Sequence, residues 1–138
     1  MPAGSLLHDP QAIVEHGLYW MAVNSVGEGR YLLAVLNSET ARQKAEGLQA
    51  RGQWGARHFD KVMLSLPIPH FDGSNKLHKE LAKAAAHAEK VAAAVELSEG
   101  IHFVKARQRI RAALREDGVA EKMDKLVAEL LKAHAPTQ

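Results

Sequence analysis

The stretch RHFDKVMLSLPIPHFDGSN, residues 57–75, divides the chain into two parts and decides how they are joined. Its apolar run ends in Leu66-Pro67-Ile68-Pro69, and the turn signal Asp72-Gly73-Ser74-Asn75 follows. Each proline disfavours helix at the residue before it, so this run is expected to be extended. The turn supplies residues that favour the start of a helix. The stretch therefore predicts a stiff connector that fixes the direction of a long helix after it.

The part before the connector predicts a strand followed by a helix. Residues 1–17 form an irregular lead-in, and residues 18–26 are rich in the aromatic and β-branched residues typical of a strand. Gly27-Glu28-Gly29 interrupts this run, and the apolar spacing in residues 30–48 then predicts a helix. Residues 62–66 are short and apolar, so a second strand and a buried extended segment both remain open.

The part after the connector predicts three helices, at residues 77–97, 103–115 and 119–133, and a frayed tail at 135–138. Apolar residues expected to face inward recur at helical spacing in all three: Leu77, Leu81, Ala84, Ala85, Ala88, Val91, Ala92 and Val95; Phe103, Ala106, Ile110 and Leu114; Val119, Met123, Leu126, Val127, Leu130 and Leu131. We therefore expect an α+β fold that is mostly helical. It would be one domain over residues 1–138, with a strand, helix and loop unit at 18–75 and a helical unit at 76–134.

Composition limits the classes of function. The chain has 138 residues, a net charge of +2 and no cysteine, which excludes disulfides, thiolate zinc sites and cysteine nucleophiles. The lack of cysteine fits a reducing compartment, and we expect a cytoplasmic protein. The first residues lack a basic and apolar signal segment, and no apolar run approaches the roughly 20 residues that span a bilayer.

Motifs for catalysis and for cofactors are weak. Gly27-Glu28-Gly29 lacks the third glycine of a dinucleotide-binding loop, because Leu32 holds that position. The histidines, among them His78 and His87, have no metal-ligand spacing and are interpreted as solvated side chains. No serine lies in G-x-S-x-G, and nothing selects a pair of carboxylates. We therefore predict no enzymatic activity, no metal and no cofactor.

Two basic clusters suggest contact with nucleic acid. The first, a loop of cations around one large aromatic residue, is typical of loops that grip phosphates and approach bases. Its candidate residues are Arg51, Gln53, Trp54, Arg57, His58 and Lys61. The second lies on the predicted helix at 103–115, where Arg107, Arg111 and Arg115 share one face. The alternative for this helix is a solvated face that Glu116, Asp117 and Glu121 partly neutralise.

The order of several motifs resembles a known family. Tyr31-Leu32-Leu33-Ala34-Val35-Leu36-Asn37-Ser38 is followed by a glycine- and arginine-containing loop at 52–57, by Leu66-Pro67-Ile68-Pro69, and by a helix that begins near Leu77-His78. This order is similar to the C-terminal target-recognition region of restriction–modification DNA methyltransferases that methylate adenine, and to specificity subunits of multi-subunit restriction systems. The resemblance covers roughly residues 18–97, and the last two helices resemble the tail of larger methylase chains.

The resemblance implies a DNA-binding module without catalysis. In that family the helix and the proline motif pack as scaffold, while the loops between them face DNA. The chain lacks the family's Asn-Pro-Pro-Tyr catalytic motif and its glycine-rich S-adenosylmethionine loop, so we expect a detached or truncated module. Arg51, Arg57 and Lys61 would then contact phosphates, Gln53 and Trp54 would approach bases, and Arg107 and Arg111 would add a second backbone contact.

The expected partner is double-stranded DNA, bound weakly by the module alone and without any membrane. A methyltransferase catalytic chain or a second copy are further expected partners. The alternative prediction is a helical protein-interaction or dimerisation module. Its small residues would allow another helix to approach closely: Ala84, Ala85, Ala88 and Ala92.

Overall fold

The computed structural model describes residues 21–50 and 65–133, and in these ranges the chain forms five α-helices. They are α1 (Val26–Leu36), α2 (Glu39–Ala50), α3 (Lys76–Ala93), α4 (Phe103–Asp117) and α5 (Val119–Ala133). Helix α3 is central, because it packs along α1 on one side and against α5 and α4 on the others. Helix α2 lies against α5, so the first two helices close over the same core.

The predicted α+β fold is wrong, since the described residues contain no strand. Met21 and Val23 lie in an irregular, exposed segment, and α1 begins at Val26, inside the run predicted as a strand. The Ser25 hydroxyl accepts a hydrogen bond from the Glu28 N–H at 3.1 Å and caps the helix. Strand-forming residues are stable as a strand only beside a partner strand, so local capping decides the structure here. Residues 18–20 lie outside the described ranges.

The second possible strand is not found in its described part either. Ser65 and Leu66 form a turn and a bend, and Leu66 is buried. Residues 62–64 lie outside the described part of the chain. The prolines that follow keep residues 67–71 out of any helix, as the connector prediction requires.

The helix predicted at residues 30–48 is divided in two by a buried serine. The Ser38 hydroxyl donates to the Val35 carbonyl at 2.7 Å and accepts from the Ala41 N–H at 3.1 Å. It therefore ends α1 and caps α2 with one side chain, a local role that serine often takes. From its first turn, α2 is tied to α5, because the Asp124 carboxylate accepts from the Thr40 N–H at 3.2 Å.

The three helices predicted after the connector are present. Helix α5 has the predicted bounds, whereas α3 ends four residues earlier than expected and α4 continues to Asp117. All six apolar residues predicted for the inner face of α5 are buried: Val119, Met123, Leu126, Val127, Leu130 and Leu131. They pack in one cluster with residues of α1 and α3: Tyr31, Ala34, Val35, Leu81, Ala84 and Ala85.

The connector is fastened to this core by the ring of Tyr31. Its hydroxyl donates to the Pro69 carbonyl at 2.7 Å, and its ring lies 5.4 Å from that of Phe71 and 4.8 Å from that of His78, between centroids. His78 is only 3% exposed, so its interpretation as a solvated residue is wrong. Its Nδ1 accepts from the Asp72 N–H at 2.9 Å and so orders the turn before α3. The stiff connector therefore ends on a ring cluster that joins α1 to α3.

Candidate nucleic-acid interface

The two predicted basic clusters fall in different parts of the structure. Arg51, Gln53, Trp54, Arg57, His58 and Lys61 lie outside the described residues, so their arrangement stays a prediction. Arg107 and Arg111 lie on α4, and both are exposed. The candidate interface is therefore built here from α4.

Helix α4 is defined at both ends by its sequence. His102 caps its start, with Nδ1 accepting from the Val104 N–H at 3.4 Å. Gly118 ends it with a φ of 91°, in the left-handed region where a residue without a Cβ is favoured. Between the two, alanine, arginine, lysine and leucine are strong helix formers.

The packing of α4 leaves most of its surface in solvent. No residue of the helix is buried, and the less exposed side is made by half-buried residues: Ala106, Ile110, Ala113 and Leu114. Leu114 packs against the core cluster, and the helix contacts α3 and α5. Helix α4 thus lies on the core as an outer layer, and its remaining sides are available for a ligand.

The cations of α4 are exposed and form no ion pair within the part of the chain that the structure describes. Five of them occur between residues 105 and 115, with no acidic residue among them: Lys105, Arg107, Arg109, Arg111 and Arg115. None takes part in the ion pairs formed within residues 21–50 and 65–133. Elsewhere in those ranges arginines do pair, Arg30 with Glu89 and Arg42 with Glu39 and Glu46. Helix α4 is therefore a local source of positive charge in a chain whose net charge is only +2.

Helical geometry places these cations in two rows. Arg107, Arg111 and Arg115 are spaced at i, i+4 and i+8, so they follow one side of the helix over about 12 Å. Lys105 and Arg109 form a shorter row, roughly 160° around the axis from Arg111 at about 100° per residue. Each duplex strand carries one phosphate per about 3.4 Å of helix axis, so the longer row spans roughly three to four phosphates. This spacing suits contact with a nucleic-acid backbone.

Two of the three acidic residues expected to neutralise α4 have partners of their own. The Asp117 carboxylate lies 2.8 Å from Nε2 of His87 on α3. The Glu121 carboxylate lies 2.9 Å from the Lys125 ammonium, and this hydrogen bond and charge lower the pKa of Glu121. Glu116 forms no ion pair within the described ranges. Glu116 stands next to Arg115 in the sequence, so the alternative of a partly neutralised face stays open at that end of the helix.

Phe103, at the first position of α4, is placed differently from expectation. The helical pattern predicts that Phe103 faces inward with Ala106 and Ile110, but the residue is 61% exposed in the structure. The guanidinium carbon of Arg107 lies 5.4 Å from the centroid of the Phe103 ring, and the His102 ring centroid lies 4.6 Å away. An exposed aromatic ring thus stands among the cations. Helical periodicity cannot detect it, because the first residue of a helix can extend beyond the surface that covers the later turns.

The described residues hold no sign of a metal or membrane site. No group of three or more histidine or acidic side chains in this part of the chain is arranged to bind a metal ion. Within the same ranges, every helix is too short or too polar to cross a bilayer. Gly27 and Gly29, considered above for a dinucleotide loop, lie in the first turns of α1.

Comparison with known proteins identifies no relative. No protein-family model matches the chain, and neither curated proteins nor solved structures give a match. The resemblance to methyltransferase target-recognition regions therefore stays a prediction.

Proposed function

We propose that this protein is a non-catalytic DNA-binding module that holds double-stranded DNA through the cations of α4. The observation that carries the proposal is the set of five exposed cations on one surface helix, none of which forms an ion pair with another described residue. Cations placed against phosphates release condensed counterions, and this release supplies most of the affinity of non-specific binding. Binding should therefore be weak at physiological salt and stronger at low salt.

Three features hold α4 ready for such contacts. Its inner side rests on α3 and α5, its last turn is joined to α3 by the pair of His87 and Asp117, and Gly118 connects it directly to α5. The backbone of the helix is therefore ordered before a ligand arrives. Only the outer parts of the arginine and lysine side chains lose freedom on binding, which keeps the entropic cost low.

The proposed biological setting is target recognition for a restriction–modification adenine methyltransferase. In that setting Arg51, Arg57 and Lys61 contact phosphates, while Gln53 and Trp54 approach the bases. The anchored connector supports this assignment, because the segment that follows the predicted loop is fixed at Leu66 and, through Tyr31, at Pro69. Base contacts near a fixed segment can add specificity to the contacts made by α4.

The test is duplex binding by matched arginine variants. Fluorescence anisotropy with a labelled duplex of about 20 base pairs gives the association constant across a salt series. Arg111→Gln removes a cation from the centre of the longer row and should lower the slope of log K against log salt by about 1. Arg42→Gln is the control, because Arg42 lies on α2 and already pairs with Glu39 and Glu46.

Both variants should remain folded, since both side chains are exposed. Equal binding by the wild type and Arg111→Gln at low salt, or an equal loss in Arg42→Gln, would remove the assignment to α4. The predicted loop is tested in the same way by Arg57→Ala, which should also cost about one phosphate contact.

A second candidate function is docking on another helix or on a second copy. Two of the small residues proposed for it, Ala84 and Ala85, are buried in the core, and the other two, Ala88 and Ala92, are half-buried. An observation on α1 favours docking instead. Val26 and Leu33 are both exposed on the same face of α1, where a second helix could cover them. Light scattering with and without duplex separates the two functions. A dimer that is indifferent to duplex supports docking.

A further inference from the structure

The start of α4 carries a second kind of chemistry beside its charges. Phe103 is 61% exposed, although a phenylalanine ring in solvent forfeits the stabilisation that burial would give. Its two ring neighbours are His102 and Arg107, at 4.6 Å and 5.4 Å. The ring keeps most of its surface accessible even with both neighbours in place, so a flat ligand can reach it.

A cavity beside His102, one neighbour of this ring, is bordered by two cations. It has a volume of about 330 Å³ and is lined by His102, Lys105 and Arg109 together with Ser98, Glu99, Gly100 and Ile101. One carboxylate therefore stands with the two cations, and Phe103 and Arg107 lie outside the cavity wall. Lys105 and Arg109 form the shorter row of α4. A ligand in this cavity would therefore meet Lys105, Arg109 and the His102 ring, and a base stacked on Phe103 would lie on the other side of His102.

We propose that His102, Phe103 and Arg107 form a stacking platform for an unpaired nucleobase, and that Lys105 and Arg109, on the far side of His102, hold a phosphate of a neighbouring nucleotide. Proteins that bind single strands combine these same two elements, a cationic track and exposed aromatic rings on which bases stack. A paired base presents no open face, so the ligand is a single strand or an unpaired position in a duplex. This inference rests on the proposed function, and it adds that the start of α4 discriminates unpaired from paired nucleic acid.

The test compares ligands that differ only in their bases. A thymidine oligomer of about 12 nucleotides and an abasic oligomer of the same length carry equal phosphate charge. The wild type should bind the thymidine oligomer at least roughly fivefold more tightly, since stacking of one base accounts for about a five- to 150-fold change. A uridine oligomer and its abasic form repeat the comparison with ribose in place of deoxyribose. If the ratio of affinities for the base-containing and abasic oligomers is larger with ribose, the preferred ligand is RNA; if it is larger with deoxyribose, the preferred ligand is single-stranded DNA.

Phe103→Leu removes the ring but keeps an apolar side chain, and it should bring the thymidine-to-abasic ratio close to one. Its affinity for duplex should change by less than about twofold, because the phosphate contacts remain. Val104→Ala is the control, since Val104 is the neighbouring exposed apolar residue and has no ring. Phe103 lies outside the core, and circular dichroism should confirm that both variants fold like the wild type.

The outcomes separate this inference from the proposed function. Salt-dependent duplex binding without any base-dependent gain in the wild type would overturn the stacking platform and leave duplex binding by α4 in place. If Val104→Ala lowers the thymidine-to-abasic affinity ratio as much as Phe103→Leu does, the stacking platform is also overturned, because the loss would then not depend on the Phe103 ring. Failure to bind every ligand would overturn both proposals.

Discussion

Tyr31→Phe tests how the connector is mounted on the core. The substitution removes only the hydroxyl, which donates to the Pro69 carbonyl at 2.7 Å, and keeps a ring that is completely buried. A neutral hydrogen bond contributes a net 0.5–1.5 kcal/mol, and Pro69 is half-exposed, so its carbonyl can still reach water. We therefore expect a loss of about 1 kcal/mol in the free energy of unfolding, or roughly 3–4 °C in Tm for a chain of this size.

Urea denaturation followed by far-ultraviolet circular dichroism measures this loss. Ser98→Ala is the control, because Ser98 is an exposed serine and its removal should change the free energy of unfolding by less than about 0.5 kcal/mol. Unchanged stability in Tyr31→Phe would refute the role of the hydroxyl. So would a loss as small as that of the control.

The same side chain predicts a dependence on alkaline pH. Burial raises the pKa of Tyr31 from 10.0 to about 12, so folding favours the protonated phenol. The resulting stabilisation is complete below pH 10 and is lost as the pH rises toward about 12. Other groups titrate in this window as well, so the readout is the difference in stability between wild type and Tyr31→Phe. This difference should shrink across the window, and a constant difference would contradict the assignment.

Three further changes test a helix end, a helix interior and the turn before α3. Gly118→Ala should cost about 1–2 kcal/mol of stability, because φ is 91° there and an added Cβ would meet no atom of the described residues within 4 Å, which leaves a conformational cost. Gly47→Ala, inside α2 and likewise without a described atom within 4 Å of the added Cβ, should instead stabilise by up to about 1 kcal/mol; denaturation of both variants checks the opposite signs. Hydrogen bonds from Ser74 lower the pKa of Asp72, so its contribution to stability is present above the ordinary pKa of 3.8 and is lost as the pH falls through the folded value. Asp72→Ala should therefore be less stable than wild type at neutral pH and equally stable in acid. If the difference in the free energy of unfolding persists in acid, the stabilisation does not come from the charged carboxylate of Asp72.

The sequence was sufficient to predict the structure where one periodic pattern of apolar residues ran through a whole helix. In α5 the apolar residues recur at helical spacing from Val119 to Leu131, so both the bounds and the buried face were predicted. It was insufficient where one polar side chain decided the structure. The cap at Ser25 turned a predicted strand into a helix start, and the hydroxyl of Ser38 divided a predicted helix into two. Such caps gain about 1 kcal/mol each, which is comparable to the summed preferences they override.

The candidate site was predictable in part for a similar reason. The spacing of Arg107 and Arg111 predicted a shared exposed face, and both residues are exposed on α4. The sequence did not show that the nearby acids are engaged elsewhere, because the partner of Asp117 is His87, thirty residues away. Nor did it show the exposed ring of Phe103, whose burial depends on what covers the first turn of the helix. Both facts depend on tertiary packing.

The most direct test of the central claim is the salt dependence of duplex binding when charge is removed from one helix at a time. One variant carries Arg107→Gln, Arg111→Gln and Arg115→Gln on α4. The control removes the same charge from α5 with Lys122→Gln, Lys125→Gln and Lys132→Gln, all at exposed positions. The α4 variant should lower the slope of log K against log salt by about 3, and the control by less than about 1. Equal slopes for the two variants would contradict the account, since net charge alone would then explain the binding.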